Sequence, residues 1–107
     1  MWLFPVLMAT LQLAQTAKAQ MPGNHAVDDT LGLVYIKKNL SSLAVPPLLA
    51  ATKAAPQVAS YHYHLGLAYA AAGDDAKARA ALEKALSISE TFEGVQEARR
   101  VLAGLKG

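Results

Sequence analysis

Apolar residues fall into stripes with a helical period. Leu31 and Tyr35 stand four positions apart, as do Leu65 and Tyr69, and such pairs lie on one side of a helix. Two stretches echo one another: Leu31-Gly32-Leu33-Val34-Tyr35 and Leu65-Gly66-Leu67-Ala68-Tyr69, 34 positions apart. The same offset relates Ala44 to Ala78, Leu48 to Leu82 and Ala51 to Ala85. A fixed period in the range of roughly 20–50 residues marks stacked repeats. The pattern predicts two helix pairs, one over residues 25–58 and one over 59–92.

The small residues explain the pairing. Gly32 and Gly66 fall mid-helix, where glycine costs on the order of 1 kcal/mol against alanine. That cost is tolerated when a second helix must come close, and Ala44 and Ala78 supply the small surface on that second helix. Asn39 and Gly73 follow the first helix of each pair, and both tolerate the left-handed conformation of a helix end. Asp74 or Asp75 is suited to cap the next helix, and Pro56 ends the first pair. Asp74, Asp75, Lys77 and Arg79 are expected to face solvent. Pro46-Pro47 falls inside the expected second helix of the first pair, where proline fits only the first turn. That helix is therefore expected to start near Val45, or to have a distorted first turn, with Ser41 and Ser42 in an extended turn.

Beyond the second pair, Val95, Ala98, Leu102 and Leu105 make one stripe, with Thr91 as the expected N-cap and Glu93 in the first turn. The period puts Arg99 and Arg100 where Leu-Gly would stand, so residues 93–107 read as a closing helix with a polar outer face. Lys106-Gly107 is expected to be a frayed tail. Carried backwards, the period maps Pro56 onto Pro22, Ala51 onto Ala17, Leu48 onto Ala14 and Ala44 onto Thr10. Residues 1–22 then read as the orphan second helix of a truncated repeat. The alternative is a signal peptide over residues 1–19, with Ala17-Lys18-Ala19 as its cleavage site. No Lys or Arg precedes its apolar stretch, Trp2 to Leu13, so the positive start of a signal is missing. Retention of this helix implies the cytoplasm; cleavage near Ala19 implies a periplasmic or secreted protein.

Composition narrows the function classes. The chain has 107 residues, 53% apolar and 17% charged, enough for one packed domain and too apolar for disorder. A formal charge of +2 without blocks of like charge gives no footprint for nucleic acid. There is no Cys, which excludes disulfides, thiol catalysis and Cys-ligated zinc. The apolar stretch Trp2 to Ala14 contains Pro5, Thr10 and Gln12 and is well short of the roughly 20 residues of a membrane span. Stable membrane insertion is not expected.

No catalytic constellation emerges. His62 and His64 are two apart, so they point to different sides of a helix and do not form the i, i+4 pair of helical zinc sites. They read as His62 packed in the helix-pair core and His64 partly exposed. Asp28-Asp29 reads as a helix start favoured by the macrodipole rather than as paired catalytic carboxylates. Tyr61 and Tyr63 read as packing or surface residues. Ser41, Ser42 and Ser60 lack a nucleophile context, and there is no phosphate-binding glycine loop. No metal, no cofactor and no enzymatic activity are expected.

These features together resemble the tetratricopeptide repeat (TPR) family. Its motif is similar to Leu31, Gly32, Tyr35, Ala44, Leu48, Ala51 and Pro56 in one copy, and to Leu65, Gly66, Tyr69, Gly73, Ala78, Leu82 and Ala85 in the other. Glu90 replaces the final Pro of the second copy, and His62 stands where the family often has Trp. The resemblance implies an all-α, TPR-type α-solenoid of antiparallel helix pairs, a right-handed superhelical stack with a C-terminal capping helix. The chain more narrowly resembles the C-terminal repeats of large bacterial TPR proteins, such as the TPR lipoproteins associated with exosortase and PEP-CTERM sorting.

The resemblance also implies a function. First helices of TPR proteins line a concave groove that binds peptides or proteins. The matching positions are Asp29, Leu33, Ile36 and Lys37 in the first pair, and Tyr63, Leu67, Ala70 and Ala71 in the second, with His64 alongside. Leu33 and Leu67 also suit plain support of neighbouring helices. Asp29, Lys37 and the Tyr63 hydroxyl are the expected polar anchors. Asp29 and Leu33 stand where the chaperone-tail clamp of the family has Lys and Asn, which disfavours a carboxylate-clamp receptor. The expected function is a non-catalytic scaffold for a protein or peptide partner. Alternatives are a secreted or periplasmic TPR protein of envelope or exopolysaccharide assembly, the tail of a larger TPR protein without independent function, and a small His-dependent metal protein. The half-repeat is expected to expose an apolar face, which implies self-association or upstream repeats lost from a longer parent.

Overall fold

The computed structural model describes residues 3–106, with side-chain surroundings from Ala9 onward. The start of the Trp2 apolar stretch, the first residues of the 1–22 unit and Gly107 of the tail lie outside the described residues. The described chain is all-helical: α1 (Leu3–Gln20), α2 (His25–Lys37), α3 (Ser41–Ala54), α4 (Ala59–Ala71), α5 (Asp75–Ile88) and α6 (Val95–Gly104).

Each helix packs on its neighbours in sequence, and α4 also touches α2 and α6. Among the described residues α1 does not touch α3, and α3 does not touch α5. One layer of helices is therefore closed up and the other splayed. A double layer built that way bends, with α2, α4 and α6 on the concave side. This placement of the bend decides where a partner could be held.

The connections repeat as faithfully as the helices. Asn39 takes φ 62° and Gly73 φ 87°. After α2 the Leu40 N–H donates to the Tyr35 carbonyl at 2.8 Å and Asn39 to Ile36 at 3.0 Å. After α4 the Asp74 N–H donates to Tyr69 at 2.9 Å and Gly73 to Ala70 at 3.1 Å. Both are the Schellman stop, in which a left-handed residue turns orphan carbonyls back onto the chain. Asp74 caps α5 by accepting from the Lys77 N–H at 3.2 Å.

The close approaches are made by glycine and leucine. A Cβ built on Gly32 would fall onto Leu48, and one on Gly66 would meet Leu82 Cγ at 2.6 Å. Leu48 and Leu82 are wholly buried, as are Ala44, Ala51, Ala78 and Ala85. The core runs across the repeat boundary, where Leu48 and Ala44 share one cluster with Leu65, Ala68 and Ala81.

α1 meets α2 through Leu11 and Ala14 against Leu31 and Val34. Leu11 holds the register of Val45, which packs on the cluster shared with α4. The α1–α2 contact is thus of the same kind as the α3–α4 contact. Thr10 is exposed and Ala17 half-buried.

Several local expectations are corrected. α3 begins at Ser41 with both prolines inside it, so Ser41 and Ser42 are helical. The two prolines remove N–H donors to the Ser42 and Leu43 carbonyls, and both of those residues are exposed, so water can take the place of the lost bonds. α2 begins at His25, capped by Asn24 accepting from the Val27 N–H at 3.0 Å, with Asp28 as the acid of its first turn, as expected, and Asp29 just beyond it. α6 is capped by Gly94 at φ 97°, not by Thr91, and Glu97 rather than Glu93 is its first-turn acid. Thr91 instead folds back on Ser89, whose hydroxyl accepts its N–H at 3.1 Å. Asp75 and Arg79 do not simply face solvent. Asp75 accepts the Lys106 N–H at 3.1 Å and Arg79 donates to the Leu105 carbonyl at 3.3 Å. Lys106 is therefore tied down rather than frayed.

Candidate functional site

The concave layer is stitched by polar side chains that reach from one inner helix to the next. His25 Nδ1 and the Tyr61 hydroxyl share a hydrogen bond at 2.9 Å. His64 Nδ1 donates to Asp29 Oδ1 at 2.8 Å. The Tyr63 hydroxyl donates to Glu97 Oε1. The first two bonds advance together along both helices, so α2 and α4 run in the same direction. Asp29 and Tyr63 hold the same register position, and Glu97 is its next occurrence. The helices of this layer are locked side by side at matched heights.

These rungs correct three side-chain expectations. Asp29 is buried and engaged by His64, and the Tyr63 hydroxyl is engaged by Glu97. Neither is a free anchor for a partner. His64 is the more enclosed of the two histidines by its bonding, held against Asp29 with 16% of its side chain exposed. His62 lies at the edge, with Nε2 3.0 Å from the Pro56 carbonyl. Burial first, then the Glu97 hydrogen bond and charge, push the Tyr63 phenol well above its ordinary pKa. Burial and the charge of Asp29 raise that of Tyr61.

Beside the rungs lies a concavity of about 570 Å³. It is lined by Leu33, Ile36 and Lys37 of α2, by Ser60, Tyr63, His64 and Leu67 of α4, and by Glu93, Gly94 and Glu97 at the start of α6. Leu33, Ile36 and Leu67 make a half-buried apolar floor. The structure thus gathers Leu33, Ile36, Lys37, Tyr63, His64 and Leu67 around one space. Asp29, Ala70 and Ala71 do not line it. Asp29 lies under the His64 ring nitrogen, and the two alanines sit at the far end of α4.

Ser60, Glu93, Gly94 and Glu97 were missed by reading the two helix pairs alone. The signal for Glu97 was present, since it continues the register of Asp29 and Tyr63. Gly94 matters twice over, for its positive φ and because the Tyr63 ring occupies the place of a Cβ. Among the described residues no three His, Asp or Glu side chains converge as metal ligands would. No helix of the described residues is long and apolar enough to cross a membrane.

Bent double layers of this kind define the class of helical repeat proteins, the α-solenoids. The family model of the tetratricopeptide repeat matches residues 59–92, which are α4, α5 and the segment leading to Phe92. The first helix pair shares the period, the Gly–Leu approach and the Schellman stop of the matched one. No curated protein matches the chain.

Proposed function

We propose that the chain is a non-catalytic scaffold that holds a peptide or protein segment in the concavity of α2, α4 and α6. The observation that carries this reading is the apolar floor of Leu33, Ile36 and Leu67, left half-open on the concave side of a repeat stack. A partner side chain placed there gains the contacts that these three side chains lack, and a few such anchors dominate binding. The test is partner capture by the intact chain against Leu33→Glu and Leu67→Glu. Both variants should keep their helical circular dichroism and lose the captured partner. Folded variants that retain every partner would remove the groove from the proposal.

We also propose self-association through the outer face of α1, where Leu13 is 71% exposed. Sedimentation equilibrium should show oligomers that Leu13→Asp dissolves. A wild-type monomer at high concentration would rule this out.

A further inference from the structure

The concavity is two-signed, and its charges are not all spent. Lys37 stands at the α2 edge, exposed, with no hydrogen bond or ion pair among the described residues. Glu93 stands at the α6 edge, likewise exposed and without an ion pair. The contrast with the other acids of this region is sharp. Asp28 is paired with Lys18, Asp29 with His64, and Glu97 with Tyr63 and, at 3.8 Å, Arg100. The two charges that the fold leaves unanswered thus face one another across an apolar floor.

Lys37 lies about eight register positions further along the repeat than Glu97 of the same acidic edge, so the two edges are offset by roughly 12 Å along the helix axes at 1.5 Å per residue. At least about four residues of extended chain are needed to cover that offset.

Resting on the groove reading above, we infer that the occupant is a peptide segment of defined charge pattern. It carries a large apolar side chain for the floor, a Lys or Arg on one flank for Glu93, and an Asp or Glu on the other for Lys37. The apolar anchor supplies most of the affinity. The flanking charges set the direction in which the segment lies, since reversing it opposes like charges at both edges. The carboxylate of Glu97 adds to the acidic edge through its proximity, although one oxygen is held by Tyr63.

The test is selection of a random dodecapeptide library, displayed on phage, against the full chain and against Glu93→Lys, Lys37→Glu and Leu67→Glu. Both charge variants alter exposed side chains without partners, and circular dichroism checks that they fold. Peptides enriched on the wild type should carry the cation, apolar residue and acid in that arrangement. A synthetic copy of one should bind Glu93→Lys about tenfold more weakly. Replacing its cation by Glu should restore binding to that variant. Enriched apolar peptides without a charge preference, lost on Leu67→Glu but indifferent to Glu93→Lys and Lys37→Glu, would overturn the charge pattern and leave the groove standing. No enrichment, or binding that survives Leu67→Glu, would overturn both.

Discussion

Tyr63 donates its hydroxyl to Glu97, a residue one full repeat further along the chain. The bond joins α4 to α6, and the Tyr63 ring fills the space above Gly94 while packing on Phe92, with ring centres 5.5 Å apart. One side chain therefore holds the closing helix at both its start and its first turn. Tyr63→Phe keeps the packing and removes the bond. It should cost about 0.5–1.5 kcal/mol. Amide exchange should quicken in α6 more than in α4 or α5. Uniform exchange across the three helices would mean that this bond does not lock α6.

The same phenol sets an alkaline limit. Its pKa is raised in the folded state by burial, then by the Glu97 hydrogen bond and charge, and that of Tyr61 is raised by burial and Asp29. Above the ordinary value of 10.0 the unfolded chain loses these protons while the folded chain keeps them. The unfolded state then binds fewer protons, so stability falls as pH rises. The contribution is complete below pH 10 and is lost through the raised folded values. Denaturation midpoints measured from neutral pH upwards should drop above pH 10, with a shallower drop in Tyr63→Phe. Identical slopes would sink the assignment to Tyr63.

One substitution should act with opposite sign at two places. Gly66→Ala gains helix propensity of about 1 kcal/mol but drives a methyl into Leu82, which is wholly buried and has no room to retreat. Overpacking of this kind costs about 1–3 kcal/mol, so the net change should be a loss. Gly104 lies in the last turn of α6 with nothing near its Cβ position. Gly104→Ala should therefore be neutral or stabilise by up to about 1 kcal/mol. Urea denaturation of both variants checks the pair.

Asp28 is 4% exposed, and the Lys18 ammonium at 2.6 Å is the counter-charge it has. Lys18→Met should leave a buried carboxylate unanswered. Removing one member of a buried pair costs about 3–5 kcal/mol, discounted here to about 1–3 kcal/mol because the Lys18 side chain is 35% exposed. Adding Asp28→Asn should recover much of the loss. Recovery identifies the charge, rather than the lost lysine stem, as the cause.

The fold was legible wherever packing leaves only one solution. Gly32 against Leu48 and Gly66 against Leu82 demand a small residue and a large one at set positions, so the period shows in the letters. Asn39 and Gly73 announced their turns for the same reason. What stayed hidden depended on distant partners. Asp28 and Asp29 look like a helix start, and become buried because Lys18 and His64 arrive from elsewhere in the chain. Thr91 has the better chemistry for a cap, yet the helix begins after Gly94, where the Tyr63 ring needs the room. In the site, Leu33 and Leu67 followed from register, whereas Ser60 and Glu93 belong to the edges that no repeat motif describes.

The rungs between inner helices differ from seam to seam, and this fixes the order of the units. Exchange residues 25–58 with 59–92 and the Gly–Leu approach within each pair survives. Asp29 would then take the place of Tyr63 and look across at the Glu97 carboxylate of α6, a like charge instead of His64. His64 would stand on the helix before Asp29 instead of the one after it, so their bond would have to form across a reversed seam. A shuffled chain would thus keep the tight contact inside each pair and lose the stitching between pairs: glycine and leucine say how a unit closes, and the tyrosines, histidines and acids say which unit comes first.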